Sequence, residues 1–160
     1  MRKQITIAAL LAAAVMLTTA VYADDPPGYD LRTVSGITAE ELAPYMHEET
    51  RHLTADVVRI CKQEGVSAEW IAVVMRWERR PELHNWFGWY RDDGSVMEFD
   101  TDTDCLEYCI PLIKSMYLTE SGQYYGGGYD VAAVSRCYND SDFWRDTISA
   151  GTLGIVEAFN

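Results

Sequence analysis

The sequence predicts a mainly α domain in which one segment beside a cleft forms either a short β-hairpin or a loop, and three features carry the helical prediction. Apolar residues recur at helical spacing in several segments, clearest over residues 70–78, where Ile71, Val74 and Met75 share one face. Capping Ser, Thr and Asp residues precede these segments, and Gly or Pro follows several of them. No repeat, heptad pattern or low-complexity run competes with a helical reading.

At the N-terminus, residues 1–23 read as a signal peptide. Arg2 and Lys3 form a short basic region, residues 5–21 are almost entirely apolar, and Ala23 supplies the small residue a signal peptidase needs. Residues 24–36, with Pro26, Pro27 and Gly28, are expected to be an extended lead-in to one domain over residues 37–160. The whole chain has 13 basic and 25 acidic residues, and loss of Arg2 and Lys3 leaves 11 against 25, a formal charge of −14. That field argues against nucleic acid and against adsorption to anionic polymers.

Thr38 and Glu41 make a capping box, and the helix they open is expected to run toward Glu49 or Thr50, interrupted at Pro44 into two short pieces. Thr54 is expected to cap a helix through Val57, Val58, Ile60 and Cys61, which Gly65 ends. Ser67 then caps the helix that reaches Glu78, and Pro81 marks its limit. Trp89 and Tyr90, the turn Arg91, Asp92, Asp93 and Gly94, then Val96, Met97 and Phe99 read as a hairpin or a Gly-bearing loop. Asp102 or Thr103 is expected to cap a helix through Leu106, Cys109, Ile110, Ile113 and Tyr117, bent at Pro111. A tyrosine-rich loop follows, Ser121 to Tyr129 reading SGQYYGGGY, without the ending of a phosphate loop. Asp130 opens a short helix through Ala133, Val134 and Cys137, and Ser141 or Asp142 opens another through Trp144, Ile148 and Ala150.

Glu78 stands where the helical stripe calls for another apolar residue. A glutamate there is costly unless paired or neutral, so it reads either as an acid with a raised pKa among Trp77, Trp86, Phe87 and Trp89, or as a partner of Arg79 or Arg80. The even count of cysteines in an exported chain predicts two disulfides. Cys105 and Cys109 would share a helix face and reach outward, so that Cys61 pairs with one of them and Cys137 with the other. No C-x-x-C pair supports a metal, and His47, His52 and His84 read as surface or capping residues.

Glu78 followed by Asn85, Trp86, Phe87, Gly88 and Trp89 resembles the bacterial glucosaminidase domain of flagellar and autolysin peptidoglycan hydrolases, within the lysozyme-like fold. The likeness covers residues 57–150: Glu78 matches the general acid, Asn85, Phe87 and Gly88 match an Asn-x-Phe-Gly segment, and Tyr138 with Phe143 and Trp144 matches a later Tyr-containing stretch and final short helix. The sequence departs from the pattern in a shorter Glu78-to-Asn85 spacing, in Glu78-Arg79-Arg80 for Glu-Ser-Gly, and in its four cysteines.

The resemblance implies a secreted or extracytoplasmic hydrolase that cuts peptidoglycan after N-acetylglucosamine, with Glu78 as acid and Tyr138 supporting it. It implies substrate contacts from Asn85, Trp86, Phe87, Gly88 and Trp89. Glu98 or Asp100, beyond the hairpin turn, is the expected second carboxylate. Expected with this are no cofactor, no metal, no nucleic acid, no transmembrane segment in the mature chain, peptidoglycan glycan strands as partner, and a monomer. Two alternatives stay open: a non-catalytic exported glycan- or protein-binding relative, and a lytic transglycosylase, which needs no protein nucleophile.

Overall fold

The computed structural model describes residues 28–159; the expected signal peptide and the first part of the lead-in lie outside them. The helices are α1 (Ala39–Leu42), α2 (Thr54–Glu64), α3 (Ala68–Glu78), α4 (Asp102–Tyr117), α5 (Val131–Tyr138) and α6 (Asp142–Ala158), with 3₁₀ turns at Ala43–Tyr45, Glu48–Leu53 and Pro81–Leu83. The fold is mainly α, as predicted. Among the described residues no helix is long and apolar enough to cross a membrane.

The core is arranged around α3. All residues from Ala68 to Met75 are buried, so this helix is enclosed rather than amphipathic. It packs on α2 and α6; α2 also packs on α1 and α4, and α5 packs on α6. Full burial of Ile71, Val74 and Met75, each at 0% exposure, contributes about 1.5–3 kcal/mol per side chain.

Local chemistry explains the helix ends. The Thr38–Glu41 capping box forms, and Pro44 sits at the start of a 3₁₀ turn where its missing N–H costs nothing. Gly65 ends α2 in the left-handed region at φ 68°. The Ser67 hydroxyl accepts from Trp70 N at 3.1 Å, and Asp130 accepts from Ala133 N at 2.8 Å.

Several expectations are corrected. Thr54 does not cap α2; its hydroxyl donates back to Arg51 O at 2.6 Å, and Leu53 takes the cap position. The α4 cap is Thr101, which accepts from Asp104 N at 3.1 Å, rather than Asp102 or Thr103. Helix α6 continues past Ala150 to Ala158 through two glycines. Gly151 is there for contact: a Cβ would lie 2.9 Å from Val73 Cγ1, so its absence lets α6 approach α3.

The segment after Trp89 turns at Gly94, φ 81°, with Gly94 N donating to Arg91 O at 2.9 Å. Pairing stops at one isolated bridge, Tyr90 with Val96, so the segment is the turn-bearing loop rather than the hairpin, and no strand forms among the described residues. The expected disulfides are also not formed. Cys105 and Cys109 do share a face of α4, but their sulfurs meet each other at 3.9 Å inside the core, far beyond the roughly 2 Å of a disulfide bond.

Candidate active-site cleft

Glu78 is the last residue of α3, half-buried at the head of a cleft of about 920 Å³. Its Oε1 accepts the Trp144 indole N–H at 2.5 Å. Burial raises its pKa; hydrogen bonds from Trp144 and Asn139 and the charge of Arg80 oppose that rise without cancelling it. The carboxyl thus holds its proton to higher pH than an exposed glutamate. Neither neighbouring arginine forms an ion pair with it. Arg79 bonds Glu49 Oε2 at 3.0 Å, His47 Nε2 at 3.2 Å and the Arg76 carbonyl, whereas Arg80 reaches the Tyr90 hydroxyl at 2.7 Å.

The loop over residues 85–89 covers Glu78 from the side. Gly88 adopts φ 65°, and a Cβ there would lie 2.8 Å from Glu78 O and 3.3 Å from Oε2, so only glycine lets the backbone rest on the acid. Asn85, with no exposed surface, holds the loop in shape. Its amide donates to Trp89 O and Met97 O, both at 2.9 Å, and its Oδ1 accepts from Trp89 N at 3.1 Å. Asn85 also pairs with Arg80 through Arg80 N to Asn85 O, 2.7 Å, closing the short detour after α3.

From the other wall, the Tyr138 hydroxyl donates to Phe87 O at 3.0 Å and accepts from Trp89 Nε1 at 3.2 Å. Burial, and then the nearby Glu78 charge, raise its pKa well above the ordinary phenol value, so it stays neutral. Its ring stacks on Trp144 with centroids 5.4 Å apart and meets Tyr117 at the same separation. Tyr117 in turn meets Tyr124 at 5.4 Å. A relay of rings therefore runs from the tyrosine-rich loop to the indole that binds Glu78.

Of the residues expected at the site, Glu78, Phe87, Gly88, Trp89 and Tyr138 line the cleft. Asn85 and Trp86 do not. Asn85 is consumed by the loop, and Trp86 is buried with its indole N–H on Asp102 Oδ1 at 3.0 Å. Asp102 also receives His84 Nδ1 at 2.6 Å and His52 Nε2 at 2.9 Å, so His84 ties the start of the loop to α4 and His52 ties the Glu48–Leu53 turn to the same carboxylate. Trp77 does not desolvate Glu78; it is 50% exposed and lies edge-on to Phe143 outside the cleft. Glu98 and Asp100 are exposed and absent from the lining, because the turn aims Asp92 and Asp93 at the cleft instead.

The residues not anticipated have a legible pattern. Tyr108, Leu112 and Met116 recur at i, i+4 and i+8 on α4, a second stripe beside the core stripe, and they wall the cleft. Cys137 joins the lining as the one exposed cysteine, while the other three are buried. Among the described residues no group of His, Cys, Asp or Glu side chains could hold a metal ion.

Fold and site together define a mainly helical protein whose aromatic cleft is headed by one half-buried carboxylic acid. No family model, curated protein or solved structure matches the chain.

Proposed function

We propose that this protein is an exported glycoside hydrolase that cleaves peptidoglycan strands after N-acetylglucosamine, with Glu78 as general acid. The observation that carries the reading is the raised, half-buried Glu78 carboxyl at the head of an aromatic cleft of about 920 Å³. A pyranose ring presents apolar C–H faces that Trp89, Tyr108 and Tyr124 can cover, and hydroxyls for the polar rim. The choice of peptidoglycan rests on the resemblance of residues 78–89 to glucosaminidase domains.

In this mechanism Glu78 gives its proton to the glycosidic oxygen as the C1–O bond breaks and positive charge develops on the sugar. The departing strand leaves as a neutral alcohol, and the Trp144 and Asn139 hydrogen bonds stabilise the carboxylate left behind. Water adds to C1, and Asp92 or Asp93 on the rim takes its proton. Tyr138 holds the Phe87 and Trp89 wall in place through its two hydrogen bonds.

The deciding experiment is mass spectrometry of soluble products from peptidoglycan incubated with the protein and with E78Q. Reducing N-acetylglucosamine ends made by the unmodified protein alone are expected. Anhydromuramic ends would assign a transglycosylase, and turnover retained in E78Q, or none by the folded protein on diverse walls, would remove this mechanism.

A further inference from the structure

The loop that lies on Glu78 is fastened at its start by a single carboxylate. Asp102, the first residue of α4, accepts at Oδ1 from His84 Nδ1 at 2.6 Å and from the Trp86 indole at 3.0 Å, and at Oδ2 from His52 Nε2 at 2.9 Å. It therefore holds residues 84 and 86, on either side of the buried Asn85, and Phe87 and Gly88 follow directly. His84 is the one non-glycine residue among the described residues with positive φ, 50°, a backbone state that persists only where surrounding contacts hold it.

An ionised carboxylate only accepts hydrogen bonds, so each ring nitrogen facing Asp102 carries a proton. Neutral His84 and His52 supply it as their Nδ1–H and Nε2–H tautomers; protonated rings donate from the same atoms and add Coulomb attraction. Burial pushes the Asp102 carboxyl up, but the bonds from His84, His52 and Trp86 and the His84 charge outweigh burial and hold it below the ordinary value of 3.8. No lysine or arginine pairs with Asp102 among the described residues. Asp104 in the same turn takes the Thr101 hydroxyl at 2.7 Å, and Asp56 of α2 faces Thr103 at 3.4 Å and pairs with Arg59 at 2.9 Å. The positive charge that Asp102 meets is thus set by two solvent-accessible histidines, and histidine is the residue type that changes charge between about pH 5 and 8.

We propose that Asp102 is a positioning residue for Glu78, acting through His84 and Trp86 on the loop that lays Gly88 against the acid, and that its hold tightens as His84 and His52 take up protons. A Cβ on Gly88 would stand 3.3 Å from Glu78 Oε2, so the loop is part of what buries the carboxyl. Burial is in turn the largest influence on the Glu78 proton. A loosened loop admits water and lets that proton leave at lower pH. The clamp therefore keeps the acid protonated under mildly acidic conditions and relaxes as pH rises.

The test follows two NMR signals that need no substrate, so its failure is separate from failure of the glycosidase reading. Titration of the Glu78 carboxyl carbon in D102N is expected to give a lower midpoint than in the unmodified protein, nearer the ordinary 4.5. H84G, which suits the left-handed backbone and loses one bond to Asp102, is expected to move the midpoint the same way and carries the test if D102N does not fold. An unchanged midpoint in the folded variant would leave Asp102 an anchor for stability alone and overturn the positioning role. Transmission is read in E78Q, where the acid's own charge is gone: the Gly88 backbone amide should shift between about pH 5 and 8. Adding H52Q and H84N should abolish that shift, because both amides keep a donor for Asp102, asparagine tolerates the left-handed backbone, and neither titrates. A Gly88 amide indifferent to pH in E78Q, or one that still titrates in the triple variant, removes the histidine control.

Discussion

The indole N–H of Trp144 and Glu78 Oε1 are 2.5 Å apart, joining residues 66 positions apart in the chain. The hydrogen bond stabilises the ionised carboxyl, while burial favours the neutral one, and burial dominates. In W144F burial is opposed only by the Asn139 hydrogen bond and the charge of Arg80. The Glu78 pKa is expected to move further up, carrying the alkaline limb of activity with it, at a stability cost of about 1 kcal/mol. Titration of the labelled Glu78 carboxyl carbon by NMR checks this without reference to substrate; an unchanged midpoint in W144F would show that the contact does not govern the acid.

Stability should depend on pH through the same group. The folded chain holds the Glu78 proton above the ordinary value of 4.5, so the native state binds more protons than the unfolded state between that value and the raised one. Stability from this site therefore falls as pH climbs through the interval and stays lower beyond it. E78Q is expected to melt at or above the temperature of the unmodified protein at pH 7, with the difference shrinking below pH 4. A clearly lower melting temperature for E78Q at pH 7 would contradict a raised pKa.

Gly88 is held at φ 65° against the acid. In G88A the left-handed backbone alone costs about 1–2 kcal/mol, and the new methyl group pushes the loop off Glu78. Urea unfolding should show at least that loss, with a fall in turnover larger than the change in stability explains. Full retention of both would mean that the loop is free to move away.

Asn85 satisfies two carbonyls and one N–H from a site with no exposed surface. N85A leaves these groups unpaired, and a loss of about 3 kcal/mol is expected in denaturant unfolding. A direct substrate contact would instead weaken sugar affinity with stability unchanged.

Cysteine reactivity separates the thiols. Burial raises the Cys61 pKa, and the Cys105 sulfur together with burial raises that of Cys109. Brief alkylation of the native protein is expected to add one label, on Cys137, and alkylation after unfolding to add four. Intact mass showing two fewer hydrogens per bridge, with correspondingly fewer labels after unfolding, would restore the disulfide expectation.

The sequence by itself determined most of the helices and the acid. Helical spacing and caps such as Ser67 and Asp130 depend on neighbours a few residues away, and Glu78 is conspicuous because it breaks a local apolar stripe. Phe87 and Trp89 are legible as aromatic residues close behind Glu78, whereas Gly88 and Tyr138 enter only through the resemblance. Tertiary structure alone decided which tryptophans surround the acid. Trp77 and Trp86 are close to Glu78 in sequence yet face Phe143 and Asp102, while Trp144 reaches it from α6. The same holds for the carboxylates: the direction of the loop after Trp89 put Asp92 and Asp93, rather than Glu98 and Asp100, on the cleft. It also holds for the cysteines, where packing turned Cys105 and Cys109 toward each other in the core. Helix periodicity states which residues share a face, but the crossing of α3 and α6 and the path of a loop arise from contacts between distant segments, which no local pattern contains.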